Sequence, residues 1–306
     1  MKNKLKHLVP VLLALATITG SLSACELKPK AQQKVSKQGF YFDTIIQITL
    51  YGTTDEKYID DCFDMAKKYE DMLSNTVSYS EVSKINDAAG KEYVTVSDDT
   101  LELIKNGIEY GDTSDGRFDI TIGKLSDLWN FSEIAENTDS KDNEVDASVV
   151  PSDAQIQSEL SHVNYRNIQI NGNDVMLTDS KAKLDLGGIA KGFIADKMKA
   201  YLQSKKITSG IINLGGNVLT VGEKSDGSDY TVGIQKPFDE SGEPICTVKI
   251  KDKSVVTSGI YERYYRVDGK LYHHILDTTT GYPVKNNLYS VTIISDSSCD
   301  GDALST

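Results

Sequence analysis

The chain has 306 residues, and its 45 acidic and 33 basic side chains give a formal net charge of −12 at pH 7. A chain this acidic argues against nucleic acid as a partner and against broad binding to anionic lipid, because both are polyanions. The length suits one large domain or two small ones, and no internal repeat is visible.

The first 25 residues have the pattern of an export signal. Three lysines and no acid precede an apolar stretch at residues 9–18, which is too short to span a membrane. Residues 22–25 read Leu-Ser-Ala-Cys, which indicates cleavage of a signal peptide after residue 24 and acylation of Cys25. An ordinary secretory cleavage is the alternative. Acyl chains would anchor the protein in the cell membrane, facing outside the cytoplasm, without a spanning helix.

Removal of residues 1–24 takes away three lysines and no acid, so the formal charge moves from −12 to −15. Residues 25–38 are polar and lysine-rich and are predicted to form a tether before a domain at residues 39–306. The cysteines that remain, Cys62, Cys246 and Cys299, are odd in number and widely spaced. They form neither a disulfide framework nor a zinc-site pattern, although the sequence leaves a single bridge open.

Helices are predicted mainly in the first two thirds of the chain. Residues 42–52 are rich in β-branched residues and indicate a strand, and from Tyr58 apolar residues recur at the three- and four-residue spacing of a helix. Ser97 is a predicted cap for a second helix. Residues 133–153 are acidic, hold few large apolar residues and indicate a surface excursion.

Residues 184–192 read Leu-Asp-Leu-Gly-Gly-Ile-Ala-Lys-Gly, which predicts the end of a strand, a glycine turn and the start of a third helix. Lys191 falls in the first turn of that helix. Unpaired backbone N–H groups and the positive end of the helix dipole favour an anion there. The alternative is an ordinary glycine turn followed by a solvated lysine.

Strands dominate after residue 209. Turn residues separate apolar, β-branched runs at residues 211–220, 230–235, 246–251, 254–258, 264–267, 272–276 and 289–295. The order of elements therefore predicts the α+β class, as a single domain with early helices and a later, mostly antiparallel sheet region.

Further polar residues stand at predicted turns and strand ends. Asp119 lies between apolar residues, Ser258 follows a threonine at a strand end, and His274 precedes a turn. Asp302 and Thr306 are four residues apart, which places them on one face of a helix, and oxygen ligands suit Mg²⁺. Each residue also has a structural alternative: a turn cap for Asp119, a hairpin end for Ser258, ordinary hydrogen bonding for His274 and a helix N-cap for Asp302.

Eight segments in this order resemble the ApbE family of FAD:protein FMN transferases. They are residues 42–44, 73–86, 115–129, 184–196, 212–218, 257–261, 274–281 and 302–306. The resemblance runs from about Phe40 to Thr306. Family members continue for a few dozen residues beyond this point, so the domain is expected to be truncated at its C-terminus.

The resemblance implies a reaction. FAD would bind with its pyrophosphate near Mg²⁺, and a threonine or serine hydroxyl of an exported, FMN-binding target flavoprotein would attack the phosphorus on the FMN side. AMP would leave, and FMN would stay attached through a phosphoester. Phosphoryl transfer needs mainly positioning and charge neutralisation, which a cation, a lysine and a helix N-terminus would supply.

The resemblance also implies residue roles. The metal ligands would be Asp302, which would also be essential for catalysis, Thr306 and the Gly188 carbonyl; Ser305 is a weaker candidate because its position is sometimes acidic in the family. The contacts with FAD would come from Phe42, Thr76, Arg117, Phe118, Asp119, Asp185, Lys191, Ile275 and Leu276. His274 is the candidate for taking the proton from the acceptor hydroxyl, unless the target's own motif supplies the base.

Two positions depart from the family pattern. Thr76 stands where a tyrosine or asparagine often lies beside the flavin, so stacking is expected to be weaker and hydrolysis of FAD could compete with transfer. Thr278 replaces a usual proline and is expected to loosen its turn. Four interpretations stay open: the transferase, a Mg²⁺-dependent FAD pyrophosphatase releasing FMN and AMP, a non-catalytic flavin-binding lipoprotein, and a solute-binding lipoprotein unrelated to flavin.

Overall fold

The computed structural model describes residues 33–138, 143–239 and 241–306. The predicted signal peptide, Cys25 and most of the predicted tether lie outside these residues. Within them, no helix combines the length and the apolarity needed to span a bilayer. Cys62, Cys246 and Cys299 are all free, so the disulfide that the sequence left open does not form among them.

Six strands form the main sheet, and every neighbouring pair is antiparallel. Their order across the sheet is β1 (Lys34–Tyr41), β2 (Thr44–Tyr51), β6 (Ser209–Leu214), β7 (Asn217–Gly222), β10 (Ser254–Gly259) and β13 (Ser290–Ser295). The first strand begins inside the segment predicted as a tether, because it pairs with β2 along its whole length. The ordered domain therefore starts before residue 39.

Three smaller sheets complete the β structure of the described residues. They are the three strands β3 (Val94–Thr95), β5 (Asp174–Leu177) and β4 (Ile168–Asn171), the pair β8 (Tyr230–Gln235) and β9 (Pro244–Ile250), and the pair β11 (Tyr264–Val267) and β12 (Lys270–His273). The strands predicted after residue 209 are confirmed, except that the run at residues 211–220 forms two strands and the strand predicted at residues 272–276 ends at His273. The three-stranded sheet was not predicted, because strands of two to four residues are too short to show an alternating pattern.

The helices of the described residues are α1 (Lys57–Leu73), α2 (Glu81–Asp87), α3 (Asp98–Thr113), α4 (Gly123–Trp129), α5 (Phe131–Glu136), α6 (Asp153–Leu160), α7 (Ala190–Ser204) and α8 (Ser298–Ser305). The predicted cap is confirmed, since the Ser97 hydroxyl accepts the N–H of Thr100. The predicted excursion at residues 133–153 begins within α5, and residues 139–142 of it lie outside the described chain. The mixture of helices and antiparallel sheets confirms the α+β class.

Helices α7 and α8 pack against each other at unusually short range. A Cβ atom on Gly192 would lie 2.2 Å from the carbonyl oxygen of Ser298, so only glycine allows this approach. Asp196 of α7 caps α8 by accepting the N–H groups of Ser298 and Cys299 at 2.8 and 2.9 Å. These contacts hold α8, which contains most of the last described residues, against α7.

Candidate active site

The segment that leads into the glycine turn is extended chain and not the end of a strand. It forms one isolated parallel bridge, between Lys183 and Ile122. The side chain of Asn86 takes the place of a neighbouring strand: its Oδ1 accepts the N–H of Leu184 at 2.7 Å, and its Nδ2 donates to the Leu184 carbonyl at 3.1 Å. The predicted strand is therefore wrong, because a side chain satisfies this backbone.

The glycine turn brings together residues from three distant segments. Asp185 closes the turn by accepting the N–H of Gly187 on Oδ1 at 2.8 Å. A Cβ atom on Gly188 would lie 3.2 Å from Cε2 of Phe118 and 3.6 Å from Cγ2 of Thr306. Gly188 thus lies against both a predicted flavin contact and a predicted metal ligand.

Lys191 lies in the first turn of α7, as predicted, and connects the glycine turn with α8. Its Nζ donates to the Gly187 carbonyl at 3.1 Å and lies 3.8 Å from Oδ1 of Asp302. The side chain is 30% exposed, so the amine is neither fully solvated nor locked in a close ion pair. It is placed to interact with an anion above the turn.

The carboxylate of Asp302 is buried, and one of its two oxygens has no close partner among the described residues. It lies inside α8, whose N-cap is Ser297, so the N-cap alternative for Asp302 is wrong. Its Oδ2 accepts the N–H of Gly192 at 2.9 Å. Its Oδ1 faces the Lys191 ammonium at 3.8 Å, which is too long for a hydrogen bond.

Three hydroxyls lie around Asp302. Ser305 Oγ lies 2.8 Å from Ser258 Oγ, and Thr306 Oγ1 donates to the Asp302 carbonyl at 3.0 Å. Ser258 stands at a predicted strand end but was given no role in the site, although the Thr-Ser-Gly pattern at residues 257–259 was the signal. We refer to Gly188, Ser258, Asp302, Ser305 and Thr306 as the oxygen cluster.

The oxygen cluster fits a hard divalent cation such as Mg²⁺. This ion is usually held by one or two carboxylates together with substrate phosphates, and not by a cage of protein acids. Among the described residues, no group of three or more His, Cys, Asp or Glu side chains could hold a metal. One carboxylate with an available oxygen matches the usual arrangement, and the Ser305 and Thr306 hydroxyls contact the backbone carbonyl of the same residue.

His274 is held in the orientation of a proton acceptor. Its backbone N–H donates to the Arg263 carbonyl at 3.1 Å, and its Nδ1 lies 3.2 Å from the same oxygen. Nδ1 therefore carries the proton, and Nε2 keeps a free lone pair. Burial, with the nearby charges of Arg263 and Lys191, lowers the pKa of His274 to about 4, so the ring is neutral at pH 7.

Asp119 joins its own loop to the segment around Tyr165. Its Oδ1 accepts the N–H and the hydroxyl of Thr121 at 2.8 and 2.6 Å, and its Oδ2 accepts the N–H of Tyr165 at 2.9 Å. Burial raises the pKa of Asp119, and these donors oppose that shift. The contacts match the turn-cap alternative, in which Asp119 orients the loop that carries Arg117 and Phe118.

Thr278 ties a second turn to the same loop. Its hydroxyl donates to the Gly116 carbonyl at 2.7 Å, a contact between residues 162 positions apart. The expectation that Thr278 loosens this turn is therefore wrong, because its hydroxyl makes a hydrogen bond that proline cannot make.

Ile275 and Leu276 lie directly after His274 and are fixed to a neighbouring segment. The Ile275 carbonyl accepts the N–H of Val284 at 2.9 Å, and Leu276 forms an antiparallel bridge with Pro283. They form a short ribbon that leads from the histidine to the turn with Thr278.

Phe42 and Thr76 are not joined to the oxygen cluster. Phe42 lies in the two-residue turn between β1 and β2 with φ +53°, and its N–H donates to Oε1 of Glu70 at 2.8 Å. Thr76 is exposed, and its hydroxyl lies 2.9 Å from Ser74 Oγ. Among the described residues, no hydrogen bond or ion pair links either residue to the cluster, so their predicted contacts with FAD stay predictions.

The chain was compared with known proteins. The model of the ApbE family matches residues 42–306. A FAD:protein FMN transferase from Klebsiella pneumoniae (strain 342) is 38% identical over 263 residues, which cover 85% of this chain and 77% of the relative. A protein of the same name from Treponema pallidum (strain Nichols) is 30% identical over 81% of this chain and 69% of the relative.

Solved structures that resemble this chain are also ApbE proteins. The ApbE protein of Thermotoga maritima superposes with a TM-score of 0.80 at 33% identity, over 89% of this chain and 85% of that chain. The flavin transferase ApbE of Vibrio cholerae gives a TM-score of 0.76 at 27% identity, over 90% and 85%. The family match extends over most of the described residues and contains the glycine turn, His274 and Asp302. The chain belongs to the ApbE family.

Proposed function

We propose that the protein is a FAD:protein FMN transferase, which attaches FMN through a phosphoester to a threonine or serine of a target flavoprotein and releases AMP. The observation that carries the proposal is the placement of Lys191 3.8 Å from the half-satisfied buried carboxylate of Asp302, while its charge also helps to lower the pKa of His274. The two relatives described above are named FAD:protein FMN transferases, and the reaction needs these three kinds of group.

The glycine turn is suited to the pyrophosphate of FAD. Within the described chain, the N–H groups of Gly188 and Lys191 donate to no protein acceptor, and both lie at the N-terminal end of α7. Two free N–H groups and the Lys191 ammonium favour a phosphate oxygen at this point. Phe118, over Gly188, is placed to border the bound nucleotide.

A divalent cation completes this site in the proposal. Asp302 and Thr306 would hold it with the Gly188 carbonyl, whereas Ser305 already pairs with Ser258 and is the weaker candidate. Bound there, Mg²⁺ would neutralise charge on the pyrophosphate and on the departing phosphate. Lys191 would then interact with the substrate and no longer with Asp302.

His274 supplies the base in the proposal. Its neutral Nε2 takes the proton of the acceptor hydroxyl while the hydroxyl oxygen forms a bond to the phosphorus on the FMN side. The bond between this phosphorus and the bridging oxygen breaks, and AMP leaves with that oxygen. Because the pKa of His274 is about 4, the base is available at neutral pH without prior deprotonation.

Hydrolysis of FAD is a second candidate, favoured by Thr76. The exposed threonine offers no ring to cover the flavin, so water could replace the acceptor hydroxyl as the nucleophile and release FMN and AMP.

The membrane anchor at Cys25 and the exported location of the acceptor are proposals that rest on residues 22–25 of the sequence. Loss of membrane association in a Cys25→Ser variant would support them.

The full chain, incubated with FAD, Mg²⁺ and an exported FMN-binding protein, tests the proposed activity. We expect flavin fluorescence on the acceptor that survives denaturation, with one AMP released for each labelled acceptor. A chelator and an acceptor without its target hydroxyl are the controls, and both should abolish labelling. FMN and AMP without a labelled acceptor would establish the pyrophosphatase instead, and uncleaved FAD would contradict both enzymatic functions.

A further inference from the structure

A group of aromatic and apolar side chains, three of them exposed and one, Tyr261, buried, lies beside the candidate active site. We name Phe238, Tyr261, Tyr264, Leu288 and Tyr289 the aromatic patch. The Phe238 ring contacts the rings of the three tyrosines, with centroids 5.3 to 6.0 Å apart. Tyr289 is 59% exposed, Leu288 56% and Phe238 37%. Contiguous apolar surface of this kind marks interaction sites more often than isolated exposed residues do.

Phe238 follows β8 in an uncommon backbone conformation. Phe238 has φ +56°, a left-handed conformation that side chains other than glycine rarely adopt. Asp239 braces the loop, since its Oδ2 pairs with Lys236 Nζ at 2.6 Å and its Oδ1 accepts the N–H of Ser241 at 2.8 Å.

The aromatic patch is continuous with the candidate base. Tyr264 pairs with His273 across β11 and β12, and the next residue, His274, donates its N–H to the Arg263 carbonyl. His274 therefore follows directly after the strand partner of Tyr264, although successive side chains of a strand point to opposite faces.

The aromatic patch is also continuous with the oxygen cluster. Ser258 of β10 pairs with Val291 of β13, and Tyr289 stands two residues before Val291, about 7 Å along the strand. The Tyr289 carbonyl accepts the N–H of Ile260 at 3.0 Å, which keeps the two chains together beyond the last strand pair. The exposed Tyr289 and Leu288 thus lie within two to three residues of the cluster.

We propose that the aromatic patch binds the segment of the acceptor flavoprotein that flanks its target hydroxyl, through an apolar side chain two to three residues from that hydroxyl. This role rests on the proposed transferase function. Extended chain advances about 3.3 Å per residue, so a segment with its hydroxyl at the oxygen cluster reaches Tyr289 and Leu288 within two to three residues, about 7 to 10 Å. The patch then selects the acceptor, whereas the glycine turn and the oxygen cluster bind FAD.

A double variant, Leu288→Ser with Tyr289→Ser, tests this proposal in the full chain. Neither side chain is buried, and the hydrogen bond of residue 289 uses its backbone carbonyl, so the fold should persist. We expect the KM for the acceptor to rise about tenfold or more, while the KM for FAD and kcat at saturating acceptor stay within about twofold. Ile245→Ser on β9 is the matched control, because Ile245 is 63% exposed and outside the patch, and it should change nothing.

A second measurement separates this proposal from the proposed function. Calorimetric titration with an acceptor whose target residue is replaced by alanine reports docking without chemistry. Tighter binding to the wild-type chain than to the double variant supports the patch, even where no covalent flavin forms. Equal affinities, or an unchanged acceptor KM in a wild-type chain that labels the acceptor, would overturn the patch and leave the transferase intact. Absence of labelling by the wild-type chain would contradict the transferase itself.

Discussion

The loop around Asp119 and the helix around Asp302 each hold a buried aspartate, and the two carboxylates are satisfied very differently. Asp119 is 8% exposed and accepts three hydrogen bonds from Thr121 and Tyr165. Asp302 is 3% exposed and accepts one hydrogen bond, from Gly192, while its second oxygen faces Lys191 at 3.8 Å. Burial therefore does not distinguish them, but the number of close partners does.

The difference suggests two different roles in one site. A carboxylate that already accepts three hydrogen bonds has little capacity left for a ligand, so we expect Asp119 to stabilise the conformation that carries Arg117 and Phe118. A buried carboxylate with an available oxygen is costly unless something binds it, and such groups cluster at functional sites. Substitutions in the Asp302 region should thus reduce activity, and substitutions in the Asp119 region should mainly reduce stability.

The largest effect is expected for His274→Gln, on the functional side of this comparison. Glutamine can still donate to the Arg263 carbonyl but has no basic nitrogen, so the transfer rate at saturating FAD should fall by about 10² to 10⁴. The pKa of about 4 implies that the wild-type rate is level from pH 6 to 8 and falls as pH decreases toward 4, where the ring becomes protonated. Single-turnover labelling across this range provides both measurements. Full activity of the variant would assign the base to the acceptor.

A smaller effect, on binding, is expected for Lys191→Ala. Loss of a charged donor to the pyrophosphate should weaken FAD affinity by about 1 to 3 kcal/mol, and added salt should reproduce part of that loss. Lys197→Ala is the matched control on the same helix, because Lys197 pairs with Asp99 and Glu102. Titration by flavin fluorescence measures both. A lysine that only caps the turn would leave the dissociation constant unchanged.

The smallest effect is expected for Thr278→Val, in the region of Asp119. The variant keeps the shape of the side chain but removes the hydrogen bond to the Gly116 carbonyl, which should lower the free energy of unfolding by about 0.5 to 1.5 kcal/mol. Thr279→Val is the control, since the hydrogen bond of Thr279 uses its backbone N–H. Urea unfolding of both variants decides the point. Equal stabilities would mean that the side-chain contact contributes nothing.

Regular elements with enough turns or alternations were predictable from the sequence. The helix after Gly188, the cap at Ser97 and the strands after residue 209 were found by local pattern, because periodicity and capping act over a few residues. The predictions that were wrong concern segments whose structure depends on residues distant in the sequence. Asn86 holds Leu184 from 98 positions away, and no local pattern could show that contact.

Contacts between residues distant in the sequence also limited the prediction of the site. Segment order nominated Gly188, Lys191 and Asp302, and the fold places them together. Residue type could not separate Asp119 from Asp302, since the distinction depends on donors supplied by other segments. Ser258 was missed for the same reason: its hydroxyl contacts Ser305 and Thr306 only through the packing of α8 on β10.

The most direct test of this account compares Asp119→Asn with Asp302→Asn, measuring the transfer rate and the free energy of unfolding on the same samples. We predict that Asp302→Asn loses about a hundredfold to a thousandfold in rate, with little change in stability. Asp119→Asn should lose about 1 to 3 kcal/mol of stability, because one donor is left facing an amide, while its folded fraction keeps a rate within about tenfold of wild type. The reverse pattern, with an active Asp302→Asn protein and a stable but inactive Asp119→Asn protein, would contradict the assignment of the two carboxylates.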